Sequence, residues 1–258
     1  MPEFIRDAAA IHYDIIGEGR PLLLIAGTAS DGASWAPLLP LLPGRQLILI
    51  DNRGSGQTRV DGPLNHADMI DDCAALLDHL GLGAVDVIGH SLGAFLGLGL
   101  AARHPEKVNR LVSLSLGFID ARTKAVFAEL AEVYFTAPPE TFFRLLYPWL
   151  FSSPFFENPE NVTAAARAST EYAHRQSPGD FARQIAALDR PAKVDFSTIR
   201  CPVLAVSGSL DLFAPPAAME AAHAAIPDHR SLVIDGAAHS IHWEKPAEVA
   251  AAIVGFLD

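Results

Sequence analysis

The stretch "DVIGHSLGAF", residues 86–95, decides how the rest of the chain is read. Gly89, Ser91 and Gly93 alternate with His90 and Leu92, so the segment matches G-x-S-x-G. Ahead of the serine, "AVDVIG" (84–89) is a short apolar run of strand type. Behind it, residues 92–104 continue as an apolar run of helical type that Pro105 ends. A strand and a helix joined this tightly leave room only for glycine on either side of the serine, and they strain its backbone. The hydroxyl then projects at the carboxyl end of a strand, beside a helix N-terminus whose backbone N–H groups favour developing negative charge. Taken alone, the same ten residues also fit a structural turn, so the decision rests on the rest of the chain.

Other runs repeat the strand pattern. "PLLLIAG" (21–27), "QLILID" (46–51), "LVSLS" (111–115), "PVLAVSG" (202–208) and "SLVIDG" (231–236) read as strands, and most of the runs are nearly continuously apolar, as expected where both faces of a parallel sheet are covered. "EFIRDAAAIHYDIIGEG" suits an antiparallel hairpin at the sheet edge. Between the runs lie helices. In residues 67–80, Met69, Ile70, Cys73, Leu76, Leu77 and Leu80 recur at three- and four-residue steps before Gly81, and "PAEVAAAIVGFL" closes the chain as an amphipathic helix. Strands alternating with helices predict an α/β fold with a doubly wound, mostly parallel sheet.

From Phe118 to Phe196 that rhythm stops, and only proline-punctuated helical patterns remain. This segment holds 14 of the chain's 21 aromatic residues. The expectation is a helical cap inserted over residues 118–195, between a first core part, 1–117, and a second core part, 196–258. Most cap aromatics would hold it to itself and to the core, and a few would line a pocket.

Composition narrows the function classes. The 258 residues carry 19 Lys and Arg against 30 Asp and Glu, a net charge of −11, which disfavours nucleic acid and anionic membranes as partners. "MPEFIRDAAA" lacks the charged and apolar regions of a leader, and no uncharged stretch approaches the roughly 18–20 residues of a membrane span. Cys73 and Cys201 are too few for a disulfide framework or a thiolate metal site, and core packing accounts for both. A cytoplasmic protein is therefore expected.

A serine hydroxyl is a poor nucleophile without a base to take its proton and a third group to orient that base. The turn demands an acid and then a histidine, both later in the chain. "GSLDLFAPP" places Asp211 just past one strand, and "IDGAAHSIHWEKP" places His239 just past the next. The order Ser91, Asp211, His239 is the required one. His242 is the rival base, although it stands farther from the strand end. An acid after "LVSLS" is the rival to Asp211, but that position offers Ser115, Leu116 and Gly117, with Asp120 farther on. His239, His242 and Glu244 do not form a helical H-E-x-x-H, so no metal is expected. "GLGAVDVIG" has glycines before a strand instead of after one and fails as a dinucleotide fingerprint, and no cofactor is expected. Asp51 and Arg53 are read as pinning their turn.

With these motifs in place, the chain resembles the α/β-hydrolase fold superfamily in its capped, small-molecule branch, from about residue 3 to 258. "DNRGSGQT" (51–58), "GSLDLFAPP" and "HWEKPAEVAAAIVGFL" belong to the same pattern as the serine turn. Within the branch it is most similar to 3-oxoadipate enol-lactonase-like hydrolases and esterases, through "YPWLFSSPFFENP" and "HRQSPGDFARQIAAL" in the cap. The resemblance implies an oxyanion hole made by the backbone N–H groups of Leu92 and Thr28. Ala26-Gly27 stands there in place of the family's usual His-Gly pair, and Thr58 and Ala238 replace the usual serine and glycine. It implies a serine hydrolase of small carboxylic esters or lactones. Gly27, Trp35, His90, Phe118, Phe213 and Trp149 are the expected pocket residues, with Trp35 also fitting a core position and His90 a packing one. A lactone bearing a carboxylate would call for a cation, for which Arg122, Arg144, Arg167, Arg175 and Arg183 are candidates. Carbon–carbon bond hydrolysis of ring-fission products uses the same triad, and a ligand sensor that keeps the triad without turnover is the reading from another class. Oligomeric state is not encoded in any of these patterns.

Overall fold

The computed structural model describes residues 2–258. At the amino end, β1 (Glu3–Arg6) and β2 (Ala9–Ile16) form the antiparallel hairpin, turned at Asp7 and Ala8, which both take positive φ. Four strands follow with crossovers between them: β3 (Arg20–Ile25), β4 (Arg45–Ile50), β5 (Val85–His90) and β6 (Val108–Leu114). The helices among them are α1 (His66–His79) and α2 (Leu92–Arg103). Between β6 and β7 (Val203–Gly208) the chain passes through α3 (Ala121–Thr136), α4 (Pro139–Leu150), α5 (Ser153–Glu157), α6 (Pro159–Glu171) and α7 (Pro178–Ala187). It ends with α8 (Pro216–His223), β8 (His229–Ile234), α9 (Ile241–Glu244) and α10 (Pro246–Leu257).

The sheet order is β1-β2-β4-β3-β5-β6-β7-β8. The β1–β2 and β2–β4 pairs are antiparallel and the rest parallel, so the fold is the doubly wound α/β sheet that the apolar runs predict. β5 is buried along its whole length because helices cover both faces. On one face, Met69, Ile70, Cys73, Leu76 and Leu77 of α1 pack with Leu96 and Leu100 of α2 against Leu23, Ile25 and Val87. On the other, Val249, Ile253 and Leu257 of α10 join Trp35 and Leu38 against Leu22, Leu24 and Ile88. β8 is an edge strand paired only with β7, and its Leu232 and Val233 are exposed.

Helix limits follow local chemistry. Asn65 starts α1 by accepting the Asp68 N–H at 2.8 Å. Gly81, at φ 66°, stops it, because only glycine enters that left-handed turn without strain.

The aromatic excess in α3–α7 has a physical use. These helices carry few long aliphatic side chains and build a separate core from Phe127, Tyr134, Phe142, Phe143, Tyr147 and Phe181. Tyr134 and Phe142 stack with centroids 3.9 Å apart, and Phe181 meets Phe142 edge-on at 5.0 Å. Each such pair adds about 0.5–1.5 kcal/mol beyond area burial. Polar clamps join this layer to the sheet. Gln184 Nε2 donates to Arg53 O (3.0 Å) and Ser55 Oγ (2.9 Å), and Gln176 Nε2 donates to Gly54 O (2.5 Å). Arg53 itself is held by a buried bidentate pair with Asp72, at 2.6 and 2.8 Å.

Candidate active site

The Ser91 turn is set by the two glycines. A Cβ on Gly89 would stand 2.2 Å from Gly93 O, and one on Gly93 would stand 1.9 Å from Ile25 O. With both absent, α2 starts directly against the ends of β5 and β3. Ser91 is driven to φ 53°, ψ −115°, a region that non-glycine residues seldom occupy, and its N–H is anchored on Leu114 O at 2.9 Å. Its side chain is left partly exposed at the carboxyl end of the sheet.

Asp211 and His239 meet there from separate loops. Gly208 allows the approach, since a Cβ on it would fall 2.1 Å from Ala237 O. His239 Nδ1 lies 2.9 Å from Asp211 Oδ2 and 3.1 Å from Oδ1, and both residues are buried, at 4% and 3% exposure. A carboxylate only accepts, so Nδ1 carries the hydrogen and Nε2 is left as the basic nitrogen. Asp211 Oδ1 also accepts the N–H groups of Phe213 and Ala214, each at 2.8 Å. Burial alone would raise the Asp211 pKa, but the facing His239 and these hydrogen bonds outweigh it and hold the carboxyl below its ordinary value. Among the described residues no hydrogen bond joins Ser91 Oγ to the His239 ring; both groups stand at the same sheet end.

The rival residues fall elsewhere. Asp120 caps α3, accepting the Thr123 N–H at 2.7 Å. His242 is buried against Trp35 and His90, with ring centroids 5.1 and 4.6 Å away, and burial pushes its pKa well below the ordinary value. His90 Nε2 donates to His239 O at 3.0 Å. Burial and the neighbouring His239 push the His90 pKa down to about 3, so this ring stays neutral beside its neighbour.

Gly27 packs against the same turn: a Cβ on it would meet His90 Nδ1 at 3.0 Å and Ser91 Cβ at 3.3 Å. The backbone N–H groups of Thr28 and Leu92 make no hydrogen bond among the described residues. In the absence of the family's usual histidine, this loop is held by Asn52 Nδ2 on Ala26 O (2.8 Å) and Ser30 Oγ on Gly27 O (3.0 Å), with Ala29 at φ 60°. Asn52 sits in a turn built around Asp51, whose carboxylate accepts the N–H groups of Gly32 (2.9 Å) and Gln57 (2.8 Å). Thr58 Oγ1 donates to Asp51 O at 2.6 Å, so threonine supplies the hydroxyl a serine would bring.

The expected pocket residues divide. Phe213 turns its ring edge to His239, centroids 5.2 Å apart, and stacks on Trp149 (5.4 Å) and Phe127 (5.1 Å). Gly27 and His90 lie against Ser91. Trp35 is corrected from pocket wall to core: it is fully buried in the layer between the sheet and α10. Phe118 is 62% exposed on the loop after β6. An open groove of about 420 Å³ lies instead between α3 and α7, lined by Lys124, Ala128, Ala182 and Ile185 among others, with neither Ser91 nor His239 in its wall. Sequence reasoning missed Asn52 as a loop support and read Glu244 only as a possible metal ligand. Glu244 in fact accepts hydrogen bonds from Ala238 N (2.7 Å), Ser152 N (2.8 Å) and Ser152 Oγ (2.6 Å). Its partner lies 92 positions away, so no local spacing announces the contact. Among the described residues no group of three or more His, Cys, Asp or Glu is arranged to hold a metal, and no helix is long and apolar enough to cross a membrane.

A family model described as "alpha/beta hydrolase fold" matches residues 20–246. The chain is similar to proteins named "Putative carbamate hydrolase RutD". For the one from Azorhizobium caulinodans the identity is 28%, over 99% of this chain and 98% of the relative. For the one from Shigella flexneri it is 29%, over 92% and 90%. Among solved structures, the enol-lactonase from Burkholderia xenovorans LB400 superposes with a TM-score of 0.87 at 24% identity, covering 99% of both chains. The "Putative non-heme bromoperoxidase BpoC" from Mycobacterium tuberculosis H37Rv superposes with a TM-score of 0.84 at 27% identity, covering 96% of this chain and 95% of that one.

Proposed function

The chain belongs to the α/β-hydrolase fold family, and from that premise we propose that it is a serine hydrolase of small carboxylic esters or lactones, with Ser91, His239 and Asp211 as its catalytic triad. His239 Nε2 takes the Ser91 Oγ proton as Oγ attacks the substrate carbonyl carbon. The N–H groups of Leu92 and Thr28 receive the tetrahedral oxyanion, an interaction in which one donor is worth about 10²–10³ in rate. His239 then returns the proton to the leaving oxygen, the C–O bond breaks, and the acyl group stays on Ser91. Water, deprotonated by the same Nε2, attacks the acyl-enzyme and releases the acid. Asp211 holds the ring in the Nδ1–H tautomer and stabilises its charged form. The Ser91–His239 hydrogen bond forms when substrate fills the site, as catalytic contacts commonly tighten only in the complex. The observation that carries this reading is the buried Asp211–His239 pair at the same sheet end as the strained, partly exposed Ser91.

Helices α3–α7 form the cap, with its aromatic underside, Trp149 and Phe127 stacked through Phe213, next to the base. An uncharged substrate fits best, because each arginine weighed as a carboxylate anchor is engaged elsewhere. Arg122 donates to Leu212 O, Arg144 and Arg167 pair with Glu140 and Glu171, Arg175 donates to Thr170 O, and Arg183 donates to Gly62 O. The relatives named for carbamate hydrolysis make a carbamate the second bond to assay, since its carbonyl passes through the same tetrahedral state.

The test is a panel of p-nitrophenyl esters, lactones, carbamates and ring-fission acids with wild type and Ser91→Ala. Ser91→Ala is expected to lose at least about 10³-fold in kcat on whichever substrate turns over while keeping its melting temperature. Retained activity within a few-fold would exclude the mechanism, and a single turnover ending in a stable adduct would favour a sensor.

A further inference from the structure

His239 sits on a loop with no regular structure, between the end of β8 and α9. Three backbone groups in a row on this loop are held by partners from elsewhere. The Ala238 N–H donates to Glu244 Oε2 at 2.7 Å, His239 O accepts from His90 Nε2 at 3.0 Å, and the Ser240 N–H donates to Leu150 O at 2.9 Å. Two of the three tethers lead into one place, the α4–α5 junction. Leu150 ends α4, and Ser152, just ahead of α5, gives both its N–H and its hydroxyl to Glu244 Oε1, at 2.8 and 2.6 Å. From the same junction, Trp149 stacks on Phe213, which meets the His239 ring edge-on. The Glu244 carboxylate thus spans the catalytic loop with one oxygen and the cap with the other.

We propose that Glu244 is a positioning residue: by joining Ala238 to Ser152 it sets the His239 backbone in register with the cap, so that the base reaches Ser91 only when the α4–α5 junction is seated. The proposal rests on the reading of Ser91 and His239 as nucleophile and base. Hydrogen bonds from N–H and O–H donors to a carboxylate are short and roughly twice as strong as neutral ones. An error of about 1 Å in a catalytic group is enough to lower a rate by about 10²-fold. Glu244 touches no reacting atom, so its loss should appear in kcat far more than in KM.

The experiment compares wild type, Glu244→Gln, Ser152→Ala, the double variant and Ser91→Ala. Each is measured for p-nitrophenyl butyrate kinetics, for the rate at which a fluorophosphonate labels Ser91, and for thermal melting. Glutamine offers one acceptor oxygen and one NH₂ donor, so it serves one side of the bridge and opposes an N–H on the other. Glu244→Gln is expected to lower kcat by about 10- to 100-fold, to change KM by less than about threefold, and to slow labelling by the same factor as kcat. Ser152→Ala, which removes one bond of three, should lower kcat by about two- to tenfold, and the double variant should be no worse than Glu244→Gln, because both act on one bridge. A folded Glu244→Gln with kcat and labelling near wild type overturns the proposal, as do effects of the two substitutions that simply multiply. If Glu244→Gln does not fold, Ser152→Ala decides: reduced kcat and labelling support the bridge, and unchanged values overturn it. Lost turnover in Ser91→Ala alongside an unimpaired Glu244→Gln defeats only the bridge. Retained turnover in Ser91→Ala defeats the serine mechanism and the Glu244 role together.

Discussion

Around Ser91, a single added methyl on Gly93 would stand 1.9 Å from a backbone oxygen. In the cap, by contrast, Phe142, Phe143, Phe181 and Tyr134 lean on one another through ring faces and edges 3.9–6.1 Å apart. The first region is held by backbone against backbone, where nothing can give. The second is held by side chains, which can change rotamer and repack. On the reading proposed above, the nucleophile thus stands on the part of the molecule least able to move, and the cap over the site would be built on the part most able to adapt. Such a division suits a fold that keeps one chemistry and varies what it accepts.

Substitutions should expose that contrast. Gly93→Ala is expected to have the largest effect: β3 and α2 cannot both stay in place, and the variant should fail to give a cooperative melt. Normal folding and activity would mean that the turn is looser than its backbone distances imply. Acid comes next. His66, with both ring nitrogens buried and without partners, is pushed by burial down to about 4, and His90 to about 3. The folded protein keeps these rings neutral while the unfolded chain protonates them below their ordinary 6.5. Stability is therefore complete above about pH 6.5 and falls as pH drops toward 4, by about 1.4 kcal/mol per pH unit for each histidine. Both residues lie in the sheet layer and not in the cap. Chemical denaturation between pH 7 and 4.5 should show the loss, and His66→Phe should remove part of the slope; a flat profile would contradict it. The smallest effect belongs to the cap. Phe181→Leu, which leaves a branched apolar side chain among rings able to close around it, should cost about 1–2 kcal/mol in denaturant unfolding. A loss above about 4 kcal/mol would show that the cap is packed as rigidly as the Ser91 turn.

Much of the frame was legible before any coordinates. Apolar runs announced the parallel strands because burial on both faces demands continuous hydrophobicity. The sequence order also put Asp211 and His239 just past strand ends, where the structure pairs them at 2.9 Å. What stayed hidden depends on contacts between distant segments. Trp35 reads the same in sequence whether it faces a pocket or lies beneath the sheet, as it does. β8 looks like a central strand because Leu232 and Val233 do not reveal that one side is unpaired. Asn52 and Glu244 work through partners 26 and 92 positions away, and polar residues on loops carry no periodicity to mark them.

The role of Ser91 can be tested by covalent labelling followed by peptide mapping. Wild type and Ser91→Ala are treated with a fluorophosphonate, and residual turnover of the best substrate is followed against label incorporated. The mechanism predicts one phosphonyl group per wild-type chain, located on Ser91, with activity lost in proportion to labelling and none incorporated by Ser91→Ala. Full turnover by a chain already labelled on Ser91, or inactivation with the label on another residue, would contradict it.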